Sequence, residues 1–179
     1  MDPNLNPELG RRNLLKLGLG ASIALSTVGL TASLTGCTSE RSAANFKVLR
    51  ESDLPMLAAL YPVVVGPHPA FTENPGVIDK AIAQLDWTLE RTSPFVQKAV
   101  LDLLGMLSMP LTRGPLTGVW GDLAKASPEQ LHAFMLRWRD SRFDMLRQGH
   151  KTLSQLLLMS WYALPQSWAT TGYPGPPVI

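Results

Sequence analysis

The chain has 179 residues and one cysteine, Cys37. A single thiol cannot close a disulfide within the chain, hold an Fe–S cluster or provide the paired cysteines of c-type haem attachment. Charge is scarce too: 17% of residues are charged and the formal net charge is +2. So small an imbalance gives no electrostatic basis for binding nucleic acid. The one local basic group, Arg137, Arg139, Arg142, Arg147 and Lys151, falls on expected helices and reads as a solvated face. Of the three histidines, His68 and His132 stand at no metal-ligand spacing from a carboxylate or another histidine. A phosphate loop, a zinc motif and a recognisable Ser/His/Asp set are missing, so the sequence carries no positive sign of catalysis. Gly18-Leu19-Gly20 opens like a dinucleotide fingerprint but lacks the third glycine and any preceding strand. No segment of useful length alternates apolar and polar residues, which argues against a sheet.

What the chain does have begins near its N-terminus. Arg11-Arg12-Asn13-Leu14-Leu15-Lys16 resembles a twin-arginine export signal, with Gly10 and Leu14 standing where the pattern usually has Ser/Thr and Phe. Arg11, Arg12, Leu15 and Lys16 are the residues expected to be recognised. Leu34-Thr35-Gly36-Cys37 resembles a lipobox, the tetrapeptide cut before its cysteine and lipidated there. No charge lies between Lys16 and Glu40, and the stretch is diluted by glycine, serine and threonine, so it is less apolar than a permanent anchor. A basic cluster, a weakly apolar segment and a cleavage site in that order are the layout of a disposable leader. The expected organisation is a signal peptide over residues 1–36, a lipid-anchored tether over 37–45 and one domain over 46–179. Localisation is then periplasmic, with the membrane held through Cys37. Thr38 in place of the Asp associated with inner-membrane retention points towards the outer membrane.

The domain reads as helical throughout. Ser52 can cap a helix running to about Val65, with Leu54, Leu57, Leu60, Tyr61 and Val64 near one stripe, ended by Gly66-Pro67-His68-Pro69. A second helix is expected from about Pro75 to Arg91, and Ser93-Pro94 opens a third in the cap-then-proline order. Residues 110–121 read as a Gly/Pro loop whose Leu116, Val119 and Trp120 fold back onto the helices or meet a partner, fold-back being the readier reading because a small domain needs the buried area. Ser127-Pro128-Glu129-Gln130 is a capping box before a helix burying Leu131, Phe134, Met135 and Trp138. After a break at Asp140 or Ser141, the seam Phe143, Leu146, His150, Leu153, Leu157, Ser160 and Leu164 calls for a helical neighbour along its length. The economical fold is all-α, a compact bundle of about five helices with an extended Pro/Gly tail at the C-terminus. His150 on that seam reads more readily as a hydrogen-bonded core histidine than as a ligand or acid/base.

Past Leu164 the chain reads Pro165-Gln166-Ser167-Trp168-Ala169-Thr170-Thr171-Gly172-Tyr173-Pro174-Gly175-Pro176-Pro177. With Trp161-Tyr162 before it, this order resembles the C-terminal signature of the gluconate 2-dehydrogenase subunit 3 type family, small subunits of membrane-bound flavin-dependent dehydrogenases. There a helix ending in aromatics passes through a proline turn to a Trp and then a Gly-Tyr-Pro-Gly-Pro string. The resemblance implies a helical, non-catalytic subunit without a cofactor of its own. It also implies a large partner of the glucose–methanol–choline (GMC) type that carries FAD, and in many cases a c-type cytochrome. The lipobox departs from the family's commonest form and supplies a membrane anchor that would otherwise fall to the cytochrome. Trp168, Tyr173, Pro174 and Pro176 are the expected partner-binding residues, since rigid aromatics and prolines add contact area with little entropy lost.

A mechanism follows from the leader. The twin-arginine translocase moves folded proteins, so a flavoprotein loaded with FAD in the cytoplasm could cross without its own signal if this subunit bound it first. Two readings of other classes compete with this one. The first is a free-standing periplasmic lipoprotein that binds a small ligand in its bundle, and the second is an enzyme that uses His150.

Overall fold

In the computed structural model the described residues are 41–168 and 170–175. The expected signal residues Arg11, Arg12, Leu15 and Lys16, the lipidation residue Cys37 and the tail residue Pro176 lie outside them. Seven α-helices follow in order: α1 Leu54–Val65, α2 Ala70–Glu73, α3 Val77–Glu90, α4 Pro94–Ser108, α5 Pro110–Thr117, α6 Pro128–Arg139 and α7 Asp144–Tyr162. Short 3-10 turns lie at Leu123–Lys125 and Pro165–Ser167. The domain is all-α. The five longer helices are those expected from the periodicity, and α2 and α5 are additions to that count.

The addition at α5 corrects the loop expected over residues 110–121. Pro110 sits at the first helical position, where a missing N–H costs nothing. Pro115 removes one further donor, whose acceptor would be the carbonyl of Leu111; that residue is 83% exposed, so water can serve it. Burial of Arg113, Gly114 and Thr117 gives the two turns an inward face. Fold-back of the following segment is mixed: Val119 is buried and Leu116 packs on the core, whereas Trp120 is 76% exposed. The Trp120 ring lies over Gly114 so closely that a β-carbon there would come within 2.5 Å of it.

Capping residues act largely as their chemistry dictates. Ser93 accepts from the Val96 N–H to start α4. Ser127 and Gln130 close both halves of the capping box at α6, at 3.3 and 3.0 Å. The start of α1 differs from expectation. Neither Ser52 nor Asp53 caps it through a side chain, because the Asp53 carboxylate is taken by Arg50, at 2.9 Å to Nε and 3.0 Å to Nη2. Arg50 also donates to the Leu101 carbonyl at 3.0 Å, tying this pair to α4.

The core lies where α1 and α7 meet α3 and α6. Leu57, Leu60 and Tyr61 from α1, Leu85 and Leu89 from α3, Phe134 and Trp138 from α6, and Leu153, Leu157 and Trp161 from α7 are all buried. Each buried Leu stabilises by roughly 1.5–3 kcal/mol relative to exposure. One polar junction crosses this core. The Tyr61 hydroxyl donates to the Ala81 carbonyl at 3.0 Å and lies 2.6 Å from the Ser160 hydroxyl, so α1, α3 and α7 share one buried network. Burial pushes the Tyr61 phenol well above its usual range, partly offset by the Ser160 hydrogen bond. The phenol is therefore a neutral donor at physiological pH.

Packing also begins earlier than residue 46. Ala43 is buried and donates its N–H to the Leu49 carbonyl, and Ser42 bridges Arg50. The Asp86 carboxylate on α3 accepts the backbone N–H groups of Lys47, Val48 and Leu49 at 2.8, 2.9 and 2.8 Å. Residues 41–45, expected to belong to the tether, are thus joined to the domain. None of the described helices is long and apolar enough to cross a membrane.

Candidate functional site

The end of α7 divides its aromatics between inside and outside. Trp161 is fully buried, while Tyr162 is 48% exposed on the opposite side. Leu164 is extended, as a residue before proline must be, and the 3-10 turn Pro165–Ser167 delivers Trp168 back towards the helix end. The Trp168 indole N–H then donates to the Tyr162 carbonyl at 3.0 Å, satisfying an acceptor that the helix terminus leaves open.

The chain after Trp168 turns around that ring. Thr171 donates its N–H and its hydroxyl to the Trp168 carbonyl, at 2.9 and 2.8 Å. Tyr173 meets the Trp168 ring edge-on, with centroids 5.4 Å apart. Gly175, at φ +101°, passes so close that a β-carbon would lie 2.9 Å from the indole. Residues 173–175 form neither helix nor strand, yet the tail does not run straight, because residues 170–172 make a turn. Its course is set by a half-buried Trp168 that only a turned, glycine-containing segment can wrap.

A second tie holds the tail to the loop between α1 and α2. His68 Nδ1 accepts from the Ala70 N–H at 3.1 Å, which leaves Nε2 as the protonated nitrogen, and Nε2 donates to the Thr170 hydroxyl at 2.8 Å. The His68 ring stands edge-on to Trp161 at 5.0 Å, and Phe71 lies 4.8 Å from Trp161. His68 is therefore a structural link between two loops. The periodicity could not find it, because its partners are about a hundred residues away in the chain.

Three expected partner-binding residues are thus located. Trp168 and Tyr173 form one edge-to-face unit, and Pro174 is exposed beside them. Met159, three residues before Tyr162 on the outer side of α7, is 66% exposed. The end of the domain presents aromatic and apolar surface on a backbone pinned by hydrogen bonds. Such surface suits contact with another protein, since little ordering is left to be lost on docking.

His150 lies elsewhere and is not the hydrogen-bonded core residue expected. It is half-buried on a cleft of about 320 Å³ shared with His132, Arg139 and Ser154, and its imidazole makes no hydrogen bond to another described residue. Desolvation and then the Arg139 charge hold its pKa below the ordinary imidazole value, with Asp140 opposing them. Asp140 is itself held low, first by its hydrogen bonds from Arg139 at 2.8 and 3.0 Å. No group of three or more His, Cys, Asp or Glu among the described residues is arranged to hold a metal ion. No family model, curated protein or solved structure matches this chain significantly.

Proposed function

We propose that this chain is a non-catalytic accessory subunit of a periplasmic flavin-dependent dehydrogenase of the GMC type. In this reading it binds the FAD-containing large subunit in the cytoplasm, carries it folded through the twin-arginine translocase and afterwards holds it at the membrane through lipidated Cys37. FAD belongs to the partner; a c-type cytochrome completes the electron path where one is present. The observation that carries the reading is an ordered one. A twin-arginine string, a lipobox and a helical domain precede Trp168 and the segment Gly172 to Pro176. The turned tail supports it, since Trp168 and Tyr173 give a pre-ordered aromatic surface beside exposed Tyr162.

The two strings at the N-terminus make separable demands. Arg11 and Arg12 govern the route, and Cys37 governs the anchor. Replacing Arg11 and Arg12 together by Lys strands this chain and its flavoprotein partner in the cytoplasm, measured by fractionation and flavin fluorescence. Arrival of the partner in the periplasm with the variant would end the carrier role. The competing small-ligand lipoprotein predicts instead a monomer that co-purifies with no flavoprotein.

A further inference from the structure

Two arginines among the described residues are buried, in contrasting states. Arg50 has a two-point carboxylate partner in Asp53 and a carbonyl on α4. Arg113, on α5, is 8% exposed, and the one hydrogen bond its guanidinium makes to a described residue runs from Nη1 to the Ser108 carbonyl at 3.2 Å. Its Nε is sealed inside without an acceptor, no carboxylate among the described residues pairs with the guanidinium, and Nη2, which is not sealed, donates to no described residue. Burying a guanidinium is costly unless its donors are matched, so this one has unused capacity for an acceptor, best an anionic one.

The space beside it is a cavity of about 380 Å³ lined by Arg113, Ser52, Ser108, Leu107, Leu123 and Met56, among others. Leu107, Leu123 and Met56 are core residues and give it an apolar wall. Asp122 also lines it; that carboxylate is exposed and accepts from the Ala124 N–H at 3.1 Å, starting the 3-10 turn. The cavity thus combines one buried cation, an apolar wall and one solvated negative charge.

We infer that this cavity is a binding site for a small monocarboxylate with a short aliphatic body. The carboxylate accepts from the Arg113 guanidinium, the body lies against Leu107, Leu123 and Met56, and Asp122 repels ligands carrying a second negative charge. The size is that of a small-molecule pocket. The site is separate from the tail surface and stands whether or not the accessory-subunit reading does.

The test is a titration of the full-length chain in detergent with sodium butyrate, followed by amide NMR, with sodium sulfate and sodium succinate as comparison arms. Saturable shifts confined to the amides of Ser52, Ser108 and Leu123 are expected with butyrate, with weaker responses to the dianions. Arg113→Gln lowers butyrate affinity at least tenfold. Asp122→Asn, which leaves the buried Arg113 in place, raises it by about three- to tenfold and narrows the gap to succinate. Absence of saturable butyrate binding to the unsubstituted chain overturns the proposal. So does equal binding of sulfate, or an Asp122→Asn variant with unchanged affinity and selectivity. If Arg113→Gln fails to fold by circular dichroism, the Asp122→Asn result decides.

Discussion

The two ends of the described domain are fastened by opposite means. At the N-terminal end, residues 42–53 are locked by buried charge: Asp86 takes three backbone N–H groups, and Arg50 and Asp53 satisfy each other. At the C-terminal end, residues 170–175 are held by one edge-on aromatic contact, a few turn hydrogen bonds and the His68–Thr170 link, all near the surface. Removing half of a buried charged arrangement leaves the other half desolvated and unpaired. Removing an exposed aromatic contact returns both groups to water. The first end is therefore committed to the fold, and the second keeps surface that a partner can use.

The largest effect expected from breaking this contrast is at Asp86. Asp86→Ala leaves the N–H groups of Lys47, Val48 and Leu49 without their acceptor and costs about 3 kcal/mol or more. A fall of this size in the unfolding free energy from denaturant titration checks it, and a loss below about 1 kcal/mol would remove Asp86 as the fastening. Tyr61→Phe probes the junction between the two ends. It leaves Ala81 and Ser160 short of a partner deep in the core and costs about 1–2 kcal/mol, seen as a lower melting temperature with unchanged helical circular dichroism.

A smaller effect is expected from pH. The folded-state pKa of His150 lies below its unfolded value, so on acidification the unfolded chain takes up the proton first. The stability this contributes is present above the ordinary imidazole pKa and is lost as pH falls through the folded-state value. Lowering pH from 7.5 towards 5 therefore lowers the melting temperature slightly, and His150→Gln reduces that slope. An identical slope in the variant would assign the pH dependence to other groups.

The contrast also explains what the sequence could reveal. Helix starts depend on residues three apart, so Ser93 and the Ser127–Gln130 box were legible, as were the buried faces of α1 and α6 and that of α7 from Leu153 onward; Phe143, placed on the same seam, is 55% exposed. Asp86 was not, because an aspartate on the inner stripe of α3 has no local feature naming its acceptor role towards residues 47–49. The same holds for Asp53, which nothing local marks as the partner of Arg50. At the other end, Pro174 correctly ruled out helix and central strand. The wrapping of residues 170–175 around Trp168 was not legible, since it depends on where the α7 terminus places the indole. Arg113 was hidden for a related reason: residues 110–117 read as a loop, and a loop arginine is ordinarily solvated.

Docking through the exposed C-terminal end is tested by deleting Gly172 to Ile179 from an affinity-tagged chain and purifying it from membranes alongside the full-length form. A flavoprotein carrying FAD is expected with the full-length chain and is expected to be lost from the truncated one, at nearly unchanged melting temperature and helical content. Recovery of the flavoprotein at equal yield with both forms would contradict a role for the tail in docking, and its absence from both would contradict the accessory-subunit reading itself.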